Sequence, residues 1–145
     1  MTTKENKLKE GEKIIDIFEI NNDAYKFYKQ NTKRGKECTY EIVKRRFTAF
    51  ILNACKAKDM GLGSIIYKFG DFNIVVNYED FNIQWVYWSN ERLYISPKQS
   101  QNLKDTYTIL GLSEDGRSLI GDVKYEELNA LAKKSGFSNK QKYVV

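Results

Sequence analysis

Apolar positions first recur at helical spacing. Leu8, Ile15 and Phe18, then Ala24, Tyr25, Phe27 and Tyr28, predict helix over 4–31, with a break at Asn21-Asn22-Asp23 and Asp23 capping the second part. The β-branched run Ile14-Ile15-Asp16-Ile17 also fits a strand. The strongest helical pattern runs from about Tyr40 to Lys58, with Thr39 as N-cap and Gly61 just past the end. Tyr40, Val43, Phe47, Phe50, Ile51, Ala54 and Cys55 make its apolar face. Lys44, Arg45 and Lys56 are directed away from that face, and Arg46 lies at its flank.

Period-2 alternation then takes over. Phe72, Ile74, Val76 and Tyr78 alternate with Asn73, Val75 and Asn77; Phe81, Ile83, Trp85 and Tyr87 alternate with Asn82, Gln84, Val86 and Trp88. This predicts a half-buried antiparallel sheet. Turn-sized breaks divide it into a meander of about four strands over 64–69, 72–78, 81–88 and 92–96. Pro97 and the polar stretch to Lys104 read as a linker. A second hairpin, 106–112 and 117–122, is expected around Ser113-Glu114-Asp115-Gly116. A last helix over about 124–135 turns Tyr125, Leu128, Leu131 and Ala132 inward, its charges matching the helix dipole. N-terminal helices packed on an antiparallel meander, a second hairpin and a C-terminal helix make an α+β fold.

The chain has 145 residues, the length of one domain, and no repeat divides it, so a single α+β domain over 1–145 is expected. It contains no histidine. Ser-His-Asp hydrolases, Cys-His enzymes and His-ligated zinc sites are thereby excluded. No GxxxxGK[ST] loop occurs, and Gly61-Leu62-Gly63 lacks the third glycine of a dinucleotide loop, so no cofactor is expected. The two cysteines, Cys38 and Cys55, form no disulfide framework, which suits a reducing compartment. With no apolar signal-like stretch at the N-terminus and no apolar run near ~18 residues, the expected location is cytoplasmic, away from membranes. Abundant Lys, Asn, Ile and Tyr fit an AT-rich coding genome, as in many low-GC bacteria and their phages.

Charge is segregated along the chain. From Lys26 to Lys68 eleven cations face three acids, a balance of +8, whereas Asp71 to Glu91 holds four acids and no cation. Lys33, Arg34, Lys36, Lys44, Arg45, Arg46 and Lys56 are the candidate phosphate contacts. A second candidate surface is the sheet face opposite the core, carrying Asn73, Asn77, Gln84, Trp88 and Tyr94, where amides hydrogen-bond and aromatics stack on bases or anchor a protein.

Two short resemblances appear near the C-terminus. Gly121-Asp122-Val123-Lys124, read as a strand end followed by a helix, makes segment 109–136 resemble the last hairpin and helix of PD-(D/E)xK metal-dependent nucleases. The resemblance implies acids holding a divalent metal and a lysine stabilising charge on the attacked phosphate. It would enlist Asp122, Lys124 and one of Asp105 or Asp115, because Ile109 stands where the family's first acid belongs. Leu131 to Ser138 resembles the turn of a helix-turn-helix, with Asn139 to Val145 as the second helix and Lys142 at an apolar position of that motif.

The sequence therefore favours a small basic, non-enzymatic binding or regulatory module. Its expected partner is DNA, RNA or a nucleic-acid-bound complex, in the manner of a phage or mobile-element accessory protein that interferes with a host machine. The alternatives are a protein-interaction module or homodimer using the sheet face, with an acidic protein surface among possible partners, and a PD-(D/E)xK-like magnesium nuclease.

Overall fold

Helices begin where polar side chains can cap them. The computed structural model describes residues 16–91 and 93–134. After the two-residue strand β1 (Glu19–Ile20), Asn21 accepts the Asp23 N–H and starts α1 (Asn22–Asn31). The cap is thus two residues earlier than Asp23, and Phe18 is fully buried outside any helix. Thr32 ends α1 and caps the short α2 (Lys33–Glu37), and Thr39 caps α3 (Tyr40–Leu52) through the Ile42 N–H. The sheet strands are β2 (Lys56–Gly61), β3 (Ser64–Phe69), β4 (Phe72–Asn77) and β5 (Asn82–Trp88). Helices α4 (Pro97–Ile109) and α5 (Tyr125–Lys134) complete the described chain, an α+β fold.

The sheet order is β1-β5-β4-β3-β2. β1 runs parallel to β5 and all other pairs are antiparallel. Ile65, Tyr67, Phe69, Ile74, Val76, Ile83 and Val86 lie on the core face, with Phe47, Phe50 and Ile51 of α3 in the same buried cluster. Each such side chain contributes roughly 1.5–3 kcal/mol on leaving water. Met60 interrupts the pairing of β2, which is an edge strand exposed along its whole length.

Five sequence expectations change. The long helix stops at Leu52, and 56–61 pairs with β3; with both faces exposed, that edge strand shows no amphipathic alternation. Residues 97–109 form a helix, neither linker nor strand. Ser96 and Gln99 make a reciprocal capping box and Pro97 takes the first helical turn, where its missing N–H is harmless. The second hairpin reduces to one bridge, Leu112 to Leu119, and residues 93–96 form no strand.

The fifth change is one of phase. Pairing passes from Val75–Trp85 to Val76–Ile83, which leaves Gln84 unopposed as a β-bulge. Every later side chain of β5 switches face. Val86 and Trp88 therefore join Phe72 and Ile74 on the core side, while Trp85 and Tyr87 face outward beside Val75 and Asn73.

The capping box makes α4 testable. Ser96→Ala is expected to cost about 1 kcal/mol. It would appear as a lower urea midpoint at unchanged slope and a melting temperature lower by about 3–5 °C. An unchanged midpoint would mean that helix formation does not depend on this cap.

Candidate nucleic-acid interface

The sequence-predicted cations do not form one surface. α3 is covered on almost every side, because α4 and the loop after it pack where solvent was expected. Arg46, only 7% exposed, donates from Nε to the Tyr28 hydroxyl (3.0 Å) and from Nη1 to the carbonyls of Asp115 (3.2 Å) and Gly116 (2.9 Å). The guanidinium also lies over the Phe50 and Tyr107 rings. Arg45 donates to Glu41 Oε2 (2.9 Å) and to the carbonyls of Leu110 (2.8 Å) and Gly121 (3.0 Å). The two adjacent arginines thus hold the 110–121 loop through four backbone carbonyls.

Lys44 pairs with Glu41 and Glu19, and Lys56 with Glu91 at 2.7 Å. Of the seven expected phosphate contacts, Lys33, Arg34 and Lys36 remain exposed without an ion pair among the described residues.

These three sit on α2 because α2 is pressed onto the end of α1. Thr32 Oγ1 donates to the Tyr28 carbonyl and accepts the Gly35 N–H. A Cβ on Gly35 would stand 2.1 Å from that same carbonyl oxygen, so only glycine permits the approach. Arg34 thereby borders a cleft of about 590 Å³.

The cleft lies at the end of the sheet where β3 turns into β4. Phe50, Phe69, Phe72, Trp88 and Tyr94 supply its aromatic lining, with Arg34, Arg46 and Asp71 as its charged groups. Phe69–Phe50, Phe50–Phe72 and Phe72–Trp88 are all near-parallel, with centroids 4.8, 6.2 and 5.2 Å apart. This row of rings ends at Trp88, which is 46% exposed; Tyr94 is 78% exposed. Asp71 and Trp88 also border a second hollow of about 390 Å³ with Ser89 and Asn90. The Ser89 N–H donates to the Asp71 carbonyl (2.7 Å), which ties the exit of β5 to the β3–β4 turn.

Trp88 and Tyr94 come together as expected, but not with the amides. Asn73 is buried on the outer face with Oδ1 unpartnered, Asn77 accepts the Glu79 N–H, and Gln84 is the bulged residue. The residues of the nuclease set come from different elements. Asp122 and Lys124 are exposed in the loop before α5, and Asp105 is on α4, where its Oδ1 accepts from Gln101. Asp115 closes the 113–118 turn by accepting from Ser113 Oγ and the Arg117 N–H. Among the described residues no three acids or thiols gather to hold a metal. The second helix of the helix-turn-helix resemblance lies outside the described residues.

Burial raises the Tyr28 hydroxyl above its ordinary pKa against the pull of Arg46, and pushes Tyr107 up to about 12. Burial likewise raises the Cys38 thiol, leaving it protonated and poorly nucleophilic. No family model, no curated protein and no solved structure matches the chain.

Glu41 anchors this arrangement through Arg45 and Lys44. Burial alone would raise its carboxyl, but the hydrogen bonds and charge of Arg45 and Lys44 hold it below the usual range. A lowered folded-state pKa adds stability above the unfolded value, and that stability is lost as pH falls through the folded one. The urea-midpoint advantage of the native chain over Glu41→Gln is therefore expected to be largest near about pH 7 and to shrink toward about pH 3. An advantage that does not change with pH would contradict this role.

Proposed function

We propose that the protein is a non-enzymatic binding module that holds a single-stranded nucleic acid along the aromatic cleft. The observation that carries this reading is the convergence of Arg34, Trp88 and Tyr94 on one cleft, beside the exposed Lys33 and Lys36. Phosphates meet the α2 cations, and bases stack on exposed rings. The adjoining hollow past Trp88 favours a ligand longer than one residue.

A duplex fits less well. Its stacked bases offer no free face to Trp88 or Tyr94, and the internal engagement of Arg45, Arg46, Lys44 and Lys56 leaves few cations for two backbones. A regulatory or accessory role, including one in a phage or mobile element, belongs to the same reading. So does a cytoplasmic setting, which the two free thiols suit. A second reading, a protein partner or second copy on the sheet face, rests on the outward exposure of Trp85 and Tyr87.

Fluorescence polarisation with labelled DNA and RNA oligonucleotides at low salt tests the first reading. Binding to single strands is expected, with a log–log salt slope of about −2 from three phosphate contacts. Trp88→Ala is expected to weaken binding by roughly five- to a hundredfold, the worth of one stacked base. Absence of binding to any strand, or an effect of Trp85→Ala in place of Trp88→Ala, would overturn the assignment.

A further inference from the structure

Arg46 raises a separate question, because it is a buried cation with no carboxylate partner among the described residues. Its Nε and Nη1 donors are spent on Tyr28 and on the 115–116 carbonyls. Nη2 donates to no described group. The residue nevertheless lines the same cleft as the exposed Arg34. Burying a guanidinium among neutral acceptors and rings is costly, and an anion arriving beside it would offset that cost.

The form of the anion follows from the depth of the cation. An internal phosphodiester carries one negative charge and a sugar on each side, so bringing it to a buried guanidinium means burying both sugars. A terminal phosphomonoester has one ester link, three free oxygens and a charge of about −1.5 to −2. It enters end-on, and its free oxygens can accept from Arg46 Nη2 and from the Arg34 guanidinium together. The cleft volume of about 590 Å³ lies within the range of pockets that enclose small molecules. Asp71, the acid of the lining, belongs to the turn beside Trp88, and the arginines come from α2 and α3.

Resting on the single-strand reading above, we infer that the cleft recognises the phosphorylated end of a strand. The terminal phosphate sits between Arg46 and Arg34, and the terminal base lies against Trp88 and Tyr94. The shared chemistry is a phosphomonoester, carried on either the 5′ or the 3′ end.

The test uses the native full chain and varies only the ligand. One short oligonucleotide is prepared with a 5′-phosphate, a 3′-phosphate, hydroxyls at both ends, and a terminal phosphate capped as its methyl ester. Competition against a labelled strand should show one phosphorylated form binding about tenfold or more tightly than the hydroxyl form, with the capped form losing most of that gain. Equal binding of all forms overturns end recognition while leaving strand binding intact. Failure of every form to bind overturns both. Arg46→Gln should erase the preference between phosphate and hydroxyl ends. Should that variant not fold, the capped ligand on the native chain still decides the matter.

Discussion

A guanidinium keeps its proton inside a protein, so the fold must surround Arg46 with acceptors. It does so with the Tyr28 hydroxyl, two backbone carbonyls of the 113–118 turn and the faces of two rings. This single side chain joins α1, α3 and the loop after α4. Gly116 is part of the same fit: its φ is +72°, and a Cβ there would stand 2.6 Å from Arg46 Nη1 and from the Tyr107 ring. Arg45 repeats the device one residue earlier, at Leu110 and Gly121. A loop with little secondary structure is thereby held by cations where a sheet would hold it by its own ladder.

The same arrangement shapes the cleft. Arg46 fixes Tyr28, Tyr28 is the last buried side chain of α1, and its carbonyl receives the Thr32 hydroxyl beneath Gly35. The α2 cations are therefore placed relative to the sheet by packing, on a helix only five residues long. On the opposite wall the aromatic row is set by β-sheet register. The bulge at Gln84 brings Trp88 over Phe72; without it, the indole would face the other side of the sheet.

Much of the fold is legible in the sequence. Alternation locates β3, β4 and β5, apolar spacing with Thr39 locates the start of α3, and the 125–134 helix carries its charges and buries Leu128 and Ala132 where expected, whereas Tyr125, expected inward, is 42% exposed. Two failures share a cause. Ser96-Pro97-x-Gln99 is a helix-start signal, and reading Pro97 as a breaker hid α4. Once α4 was missing, the polar side of α3 had nothing to cover it, so Arg45 and Arg46 read as surface cations. The phase error on β5 is different. A bulge inserts one residue without any local mark, since Gln84 is as acceptable in a regular strand as in a bulged one. The site was therefore half legible: Arg34, Trp88 and Tyr94 carry visible chemistry, whereas Phe50, Phe69 and Phe72 read only as core.

The chain's two tryptophans stand on opposite faces of the sheet, Trp88 at the cleft and Trp85 outside it. Their indole N–H signals in a nitrogen-15 correlation spectrum report the two faces separately. Titration with a single-stranded oligonucleotide should move the Trp88 signal and leave that of Trp85 in place. Movement of Trp85 alone, or of neither, would contradict the placement of the ligand in the cleft.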